Sequence, residues 1–134
     1  MAASKYDFPI EQGSSFRLAI VYKDKDNIIV DITNWCARLI WKTNNNTTQI
    51  FTTENNDPTL YDFSIDGPNG KITLLLPAST TNNFNFNIAK YDLELLSDDE
   101  LYSGGGKQTS RILYGTVTIT KRYSQSSILL ECSE

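Results

Sequence analysis

Histidine is absent from the 134 residues of this chain. That removes the usual base of a Ser-His-Asp or Cys-His nucleophile and, with it, the commonest transition-metal ligand. Carboxylates, two thiols and a glycine run remain. A glycosidase needs two carboxyl groups about 5 to 9.5 Å apart across a sugar cleft. Asp62, Asp66, Asp98, Asp99 and Glu100 are the acidic candidates, and a chain with 16 acidic residues supplies such pairs by chance. Asp98-Asp99-Glu100 reads as a solvated turn at a hairpin tip, because exposed acids favour turns. It does not follow the D-x-[DN]-x-[DN]-G pattern of a calcium loop. Ser103-Gly104-Gly105-Gly106-Lys107 lacks the spacing of a phosphate loop, and no helix follows it. Cys36 and Cys132 have no C-x-x-C spacing and read as two free thiols rather than one disulfide. Trp35 and Trp41 share parity, about 20 Å apart along an extended strand. They fit either a sugar-stacking platform or a core, and the core is the expected place for at least one of them. The expectation is a non-enzyme with no catalytic residue, no cofactor-binding residue and no metal ligand.

The elements around these residues alternate with period two. Phe16, Leu18, Ile20 and Tyr22 share one face, as do Trp35, Ala37, Leu39 and Trp41. Ile72, Leu74 and Leu76 follow the same rule, then Tyr91, Leu93 and Leu95, then Leu113, Gly115, Val117 and Ile119. This is the mark of strands with one face on a core. Asp24-Lys25-Asp26-Asn27 is expected to close a hairpin onto Ile28-Ile29-Val30, and Asp66-Gly67-Pro68-Asn69-Gly70 to lead into Lys71–Leu76. Asn44 to Thr48 reads as a polar loop and Ser103 to Gly106 as a hairpin tip. Pro77 to Phe84 permits a single helical turn. The pattern predicts an all-β, immunoglobulin-like antiparallel β-sandwich of about 7–9 strands over residues 1–123. Its two antiparallel sheets would pack around Phe16, Leu18, Ile20, Leu39, Ile72, Leu74, Leu93, Leu95, Val117 and Ile119. Tyr91, at the start of a strand after an irregular crossover, is expected either as a tyrosine corner, its hydroxyl bonded to upstream backbone, or as a plain core aromatic.

The charge balance bears on partners. A net charge of −4 argues against nucleic acid or an anionic membrane, since both reward clustered Lys and Arg. Apolar runs fall far short of the ~20 residues of a membrane helix. The first residues, Met1 to Tyr6, carry no apolar signal-peptide region, so synthesis in a cytoplasm is expected. A small-molecule ligand is not expected, which leaves other proteins.

Six segments, in order, point to a family. They are Phe8-Pro9-Ile10-Glu11-Gln12-Gly13-Ser14-Ser15-Phe16, Tyr22-Lys23-Asp24, Val30-Asp31-Ile32-Thr33-Asn34-Trp35-Cys36-Ala37-Arg38, Gly70-Lys71-Ile72-Thr73-Leu74, Lys90-Tyr91-Asp92-Leu93-Glu94-Leu95 and Leu113-Tyr114-Gly115-Thr116-Val117-Thr118-Ile119. From Tyr6 to Tyr123 the chain resembles small tailed-bacteriophage virion proteins, similar to the N-terminal domain of siphophage upper baseplate proteins. Asn34 stands where the family usually has Gly, and Asn tolerates left-handed backbone. The resemblance implies no enzyme and no cofactor. It implies a virion protein present in several copies that joins tail, baseplate, neck or fibre parts through other virion proteins. The competing class is a carbohydrate- or cell-surface-binding module. Residues 124–134 read as a C-terminal tail. Its Ile128, Leu129 and Leu130 would each forgo roughly 1.5–3 kcal/mol of burial in water. They are expected to dock on a neighbouring subunit or another virion protein, or alternatively to fold back as one more strand.

Overall fold

The computed structural model of the chain describes residues 3–54, 57–102 and 106–121, with backbone alone over 98–102 and 106–108. It is a mostly β protein. Its nine strands are β1 (Ser4–Lys5), β2 (Phe8–Glu11), β3 (Phe16–Val21), β4 (Cys36–Thr43), β5 (Thr48–Thr52), β6 (Asp62–Asp66), β7 (Lys71–Leu76), β8 (Ile88–Tyr102) and β9 (Gly106–Thr120). One short helix, α1 (Ala78–Asn82), follows Pro77 and links β7 to β8.

The strands form two sheets. A six-stranded sheet runs β1-β9-β8-β4-β5, with β2 also on β9, and a three-stranded sheet runs β3-β7-β6. The small sheet is antiparallel. The large one is mixed, because β1 and β2 both pair parallel with β9. This corrects the expectation of two antiparallel sheets. Period two says which face of a strand is buried, but it carries no information about the direction of the partner.

One hydrophobic cluster joins the sheets, with Leu18, Phe63, Ile72, Leu74 and Leu76 from the small sheet and Leu39, Trp41, Phe51, Leu93, Leu95 and Val117 from the large one. Eight of the ten expected core residues are buried, while Phe16 and Ile20 are partly buried against the cluster. Both of these lie on β3, which pairs with β7 on one side and ends the small sheet on the other. Each fully buried aliphatic side chain contributes about 1.5–3 kcal/mol.

The turns follow their residue chemistry. Asp24 accepts the N–H groups of Asp26 and Ile28, and Asn27 takes φ +64°. The hairpin onto Ile28-Ile29-Val30 closes as expected: the Asp24 N–H donates to the Ile28 carbonyl, the Val30 N–H donates to the Tyr22 carbonyl, and Lys23 bridges Ile29, although the segment is too short to count as a strand. Beyond Val30 the chain turns inward, where Ile32 is fully buried and its N–H donates to the Gly67 carbonyl. Asp31 then accepts both the N–H and the hydroxyl of Thr33, which holds its carboxyl below the ordinary carboxylate range. Asn34 sits at φ +67°, the left-handed conformation expected of a residue standing in for glycine. The Asp66–Gly70 turn joins β6 to β7 as expected, with Gly70 at φ +60°.

β8 and β9 run well past the rest of the sheet. The last β4 partner of β8 is Leu96, opposite Cys36, yet β8 continues to Tyr102 opposite Gly106. Asp98, Asp99 and Glu100 therefore belong to a strand rather than to the hairpin tip expected from sequence. Residues 103–105 lie outside the described residues.

Candidate interaction edges

Two-sheet proteins can meet partners through faces, arms and strand edges. Among the described residues the two sheets end in four edges. One is the β1/β2 side of β9, the second is β5, and the small sheet ends in β3 and β6.

The N-terminal edge is held by side chains that reach to backbone. Between β1 and β2 the chain bends at Tyr6-Asp7 over Gly115, where a Cβ would lie 2.2 Å from the Tyr6 carbonyl oxygen. Tyr91 stands opposite Gly115 on β8, and its hydroxyl passes that gap to donate to the Tyr6 carbonyl. Burial, with the Asp7 carboxylate second, pushes the Tyr91 phenol well above its ordinary range, so it stays a neutral donor. Asp7 Oδ1 accepts the Thr116 N–H at 2.9 Å, and the Tyr6 N–H reaches the Tyr114 carbonyl at 2.8 Å. The Tyr91 hydroxyl is thus bonded to upstream backbone, as the corner reading asks. Its acceptor, however, lies in the bend between β1 and β2 and not in the crossover before β8.

The end of the same edge is tied to α1. Gln12 Nε2 donates to the carbonyls of Asn82 and Phe84. Thr81, fully buried, donates to the Ser14 carbonyl and accepts from the N–H of Gly13, which has φ +83°. Lys121 Nζ donates to the Phe84 carbonyl at 3.3 Å.

β5 differs. Thr43 N–H bonds the Thr47 carbonyl and Thr53 N–H bonds the Ala37 carbonyl, so the N–H and C=O groups of Thr48, Ile50 and Thr52 face away from β4. The Thr52 N–H meets the Tyr61 hydroxyl at 3.3 Å. Among the described residues no strand covers Thr48 and Ile50, and the Ile50 side chain is 52 % exposed. The other three edges carry Lys5, Pro9 and Glu11 (β1/β2), Arg17 (β3), or Asp62 and Asp66 (β6), the residue types that discourage edge pairing. Thr48-Gln49-Ile50-Phe51-Thr52 has neither charge nor proline. A cleft of about 270 Å³ opens beside it, lined among others by Thr43, Thr47, Gln49, Leu60, Phe84 and Phe86.

The outer face of the large sheet carries Arg38–Glu94 (3.6 Å) and Arg111–Asp92 (3.2 Å), with the Arg111 guanidinium 5.0 Å from the Tyr114 ring centroid. Cys36 Sγ donates to Glu54 at the end of that face. Trp41 is fully buried, edge-on to Phe51 and Phe84, whereas Trp35 is half-buried beside Tyr22. The two tryptophans therefore do not form one exposed platform. Among the described residues no three carboxylates or thiols gather where they could hold a metal ion. Ile128, Leu129, Leu130 and Cys132 lie outside the described residues. Sequence reading missed the β5 edge. Its signal was a five-residue uncharged β-branched and aromatic run directly after the Asn-rich loop.

No protein-family model matches the chain, and no curated protein matches it.

Proposed function

We propose that the chain is a non-enzymatic structural protein of a tailed-phage virion, acting in the tail, baseplate, neck or fibre attachment through interfaces with other virion proteins. One observation carries the reading. The segments that gave the resemblance fall on the joints of the two sheets: Gln12 on α1, Asp31 to Asn34 at a left-handed turn, Gly70 at the β6–β7 turn, and Tyr91 with Gly115 at the N-terminal edge. What the chain has in common with those virion proteins is thus a scaffold, and a scaffold works by its surfaces.

The fold reading belongs to the same proposal. The orders β3-β7-β6 and β9-β8-β4-β5 correspond to B-E-D and G-F-C-C′ of an immunoglobulin-like sandwich. A virion part needs permanent interfaces, commonly about 2,000 Å² or more. The β8–β9 arm, which outruns β4, and the open β5 edge offer sites for them.

Mass spectrometry of phage particles from the host that carries this sequence tests the reading. The expected result is this chain at a fixed ratio to the major tail protein through density-gradient purification. Loss of the chain during purification overturns it. Saturable glycan binding by the purified chain, abolished by Trp35→Ala, would favour the carbohydrate-binding module instead.

A further inference from the structure

We propose that copies of this chain join head to tail through the small sheet, β3 of one copy pairing in parallel with β6 of the next. This goes beyond the proposed function and holds whether or not the chain sits in a virion. The contact uses neither β5 nor the β8–β9 arm.

The backbone sets how the two edges can meet. Among the described residues no strand lies beyond β3 or β6. The Tyr22 N–H bonds the Gly70 carbonyl, so the β3 groups that face away from β7 are those of Arg17, Ala19 and Val21. By the same alternation the Ile65 groups on β6 face away from β7. Both strands run antiparallel to β7, hence parallel to each other, and a second copy in the same orientation presents its β6 to β3. Arg17 then stands opposite Asp62 of the next copy, and Ala19 opposite Ser64. The Ile65 N–H of the next copy donates to the Ala19 carbonyl, and its carbonyl accepts the Val21 N–H. An antiparallel approach would set the outward side chain of Ala19 against an inward one of β6 and turn the second copy over.

The side chains fit that register. Arg17 and Asp62 are exposed on the outer face, and among the described residues neither has an ion pair within its own chain. Asp66 accepts from the Asn69 amide of its own turn, which leaves Asp62 to meet Arg17. On the inner face the half-buried Phe16 and Ile20 of β3 come opposite the half-buried Tyr61 and Ile65 at the β6 end of the core. In a β3–β3 pair Arg17 meets no acid, and in a β6–β6 pair acids face acids. The charges that discourage indiscriminate edge pairing therefore select this one.

The taper of the molecule limits the assembly. The small sheet is three strands wide and the large one five, about 14 and 24 Å in layers about 10 Å apart. Copies joined through the narrow layer must turn by roughly 55° or more each to keep the wide layers apart. A head-to-tail contact with that turn closes a ring of about six copies or fewer.

Sedimentation and a mixed cross-link test this. The full chain at submillimolar concentration is expected to form a closed oligomer of about three to six copies. Arg17→Asp should weaken association by about tenfold or more, and adding Asp62→Arg to the same chain should restore it, with unchanged circular dichroism. A monomer or a two-fold dimer of the wild type, or no rescue by the charge exchange, overturns the proposal. Ala19→Cys and Ser64→Cys are placed in separate chains, each with Cys36→Ser and Cys132→Ser, and oxidised singly and as a mixture. A linked pair is expected from the mixture alone. A linked pair from either variant by itself, or no link in the mixture, overturns the head-to-tail pairing.

Discussion

Along its N-terminal edge the six-stranded sheet is closed by side chains that cross to backbone: Tyr91 to Tyr6, Asp7 to Thr116, Gln12 to Asn82 and Phe84. Along β5 the sheet ends in outward backbone groups and an exposed isoleucine. Both are edges of one sheet over one core, so apolar burial does not distinguish them. What differs is how polar groups are satisfied. A parallel strand pair is slightly weaker per residue than an antiparallel one, and the extra bonds supply what β1 and β2 lack as short parallel strands. The β5 edge is half of an antiparallel hairpin, and its side-chain ties sit at the two ends: Thr43 Oγ1 exchanges bonds with Thr47, the Ala37 N–H donates to Thr53 Oγ1, and the Thr52 N–H donates to the Tyr61 hydroxyl. Between those ends Thr48 and Ile50 turn their backbone groups away from β4.

The largest effect should come from the strand between the two regions. Leu93 is buried on β8, flanked by β9 on one side and β4 on the other. Leu93→Ala should cost about 2–5 kcal/mol in chemical denaturation and loosen both edges together. A loss under about 0.5 kcal/mol would remove Leu93 from the core. Gly115→Ala comes next and strikes one edge alone. Its Cβ would enter the space of the Tyr6 carbonyl, so the β1–β2 bend must lift off β9. A loss near the top of the roughly 1–3 kcal/mol range of overpacking is expected, with Tyr6 and Phe8 amides exchanging faster while β5 amides keep their rates. Uniform change along both edges would dissolve the contrast.

How far the sequence reached follows the same division. The faces of β3, β4, β7, β8 and β9 were legible, because alternation reports burial and burial decides those strands. Asn34, Gly70 and the Asp24 turn were legible because their backbone conformations select few residue types. The parallel pairing of β2 with β9 was not, since direction depends on where the chain crosses between sheets. β5 was not marked because Ile50 and Phe51 are adjacent, one outward and one inward, and leave only two apolar residues for a pattern. Ile28-Ile29-Val30 pairs back on Tyr22 to Asp24 as its composition suggests, but the burial of Ile32 ends that pairing after Val30. Of the candidate site, the β5 edge becomes visible only once the strand order is known.

Tyr91→Phe probes the N-terminal edge more gently. It keeps the ring and removes the donor, leaving the Tyr6 carbonyl without that bond, and about 1–2 kcal/mol should be lost. The pH dependence gives a second readout. The folded phenol titrates above its unfolded value of 10.0. Below that value both states keep the proton and the contribution is complete. As pH rises past it, the unfolded chain releases a proton that the folded chain retains, so stability falls. The wild type should therefore lose stability more steeply than the variant from about pH 9.5 upward. Parallel curves would mean that the hydroxyl is not held in the folded state.

The smallest effect is expected on the β5 half. Arg38 lies on β4 opposite Thr52, and its guanidinium is 3.6 Å from Glu94 on β8, with the two side chains 52 % and 24 % exposed. At that exposure water screens the pair, and ordering two long side chains offsets much of the attraction. Arg38→Ala combined with Glu94→Gln in a double-mutant cycle should give a coupling below about 0.5 kcal/mol, shrinking further at high salt. Both single variants should leave Thr48 and Ile50 amide exchange unchanged, because those groups face away from β4. A coupling above about 1 kcal/mol would mean that polar contacts on the outer face hold this half as firmly as Tyr91 and Gln12 hold the other. The two edges would then differ in where their polar ties lie, and not in how firmly those ties hold.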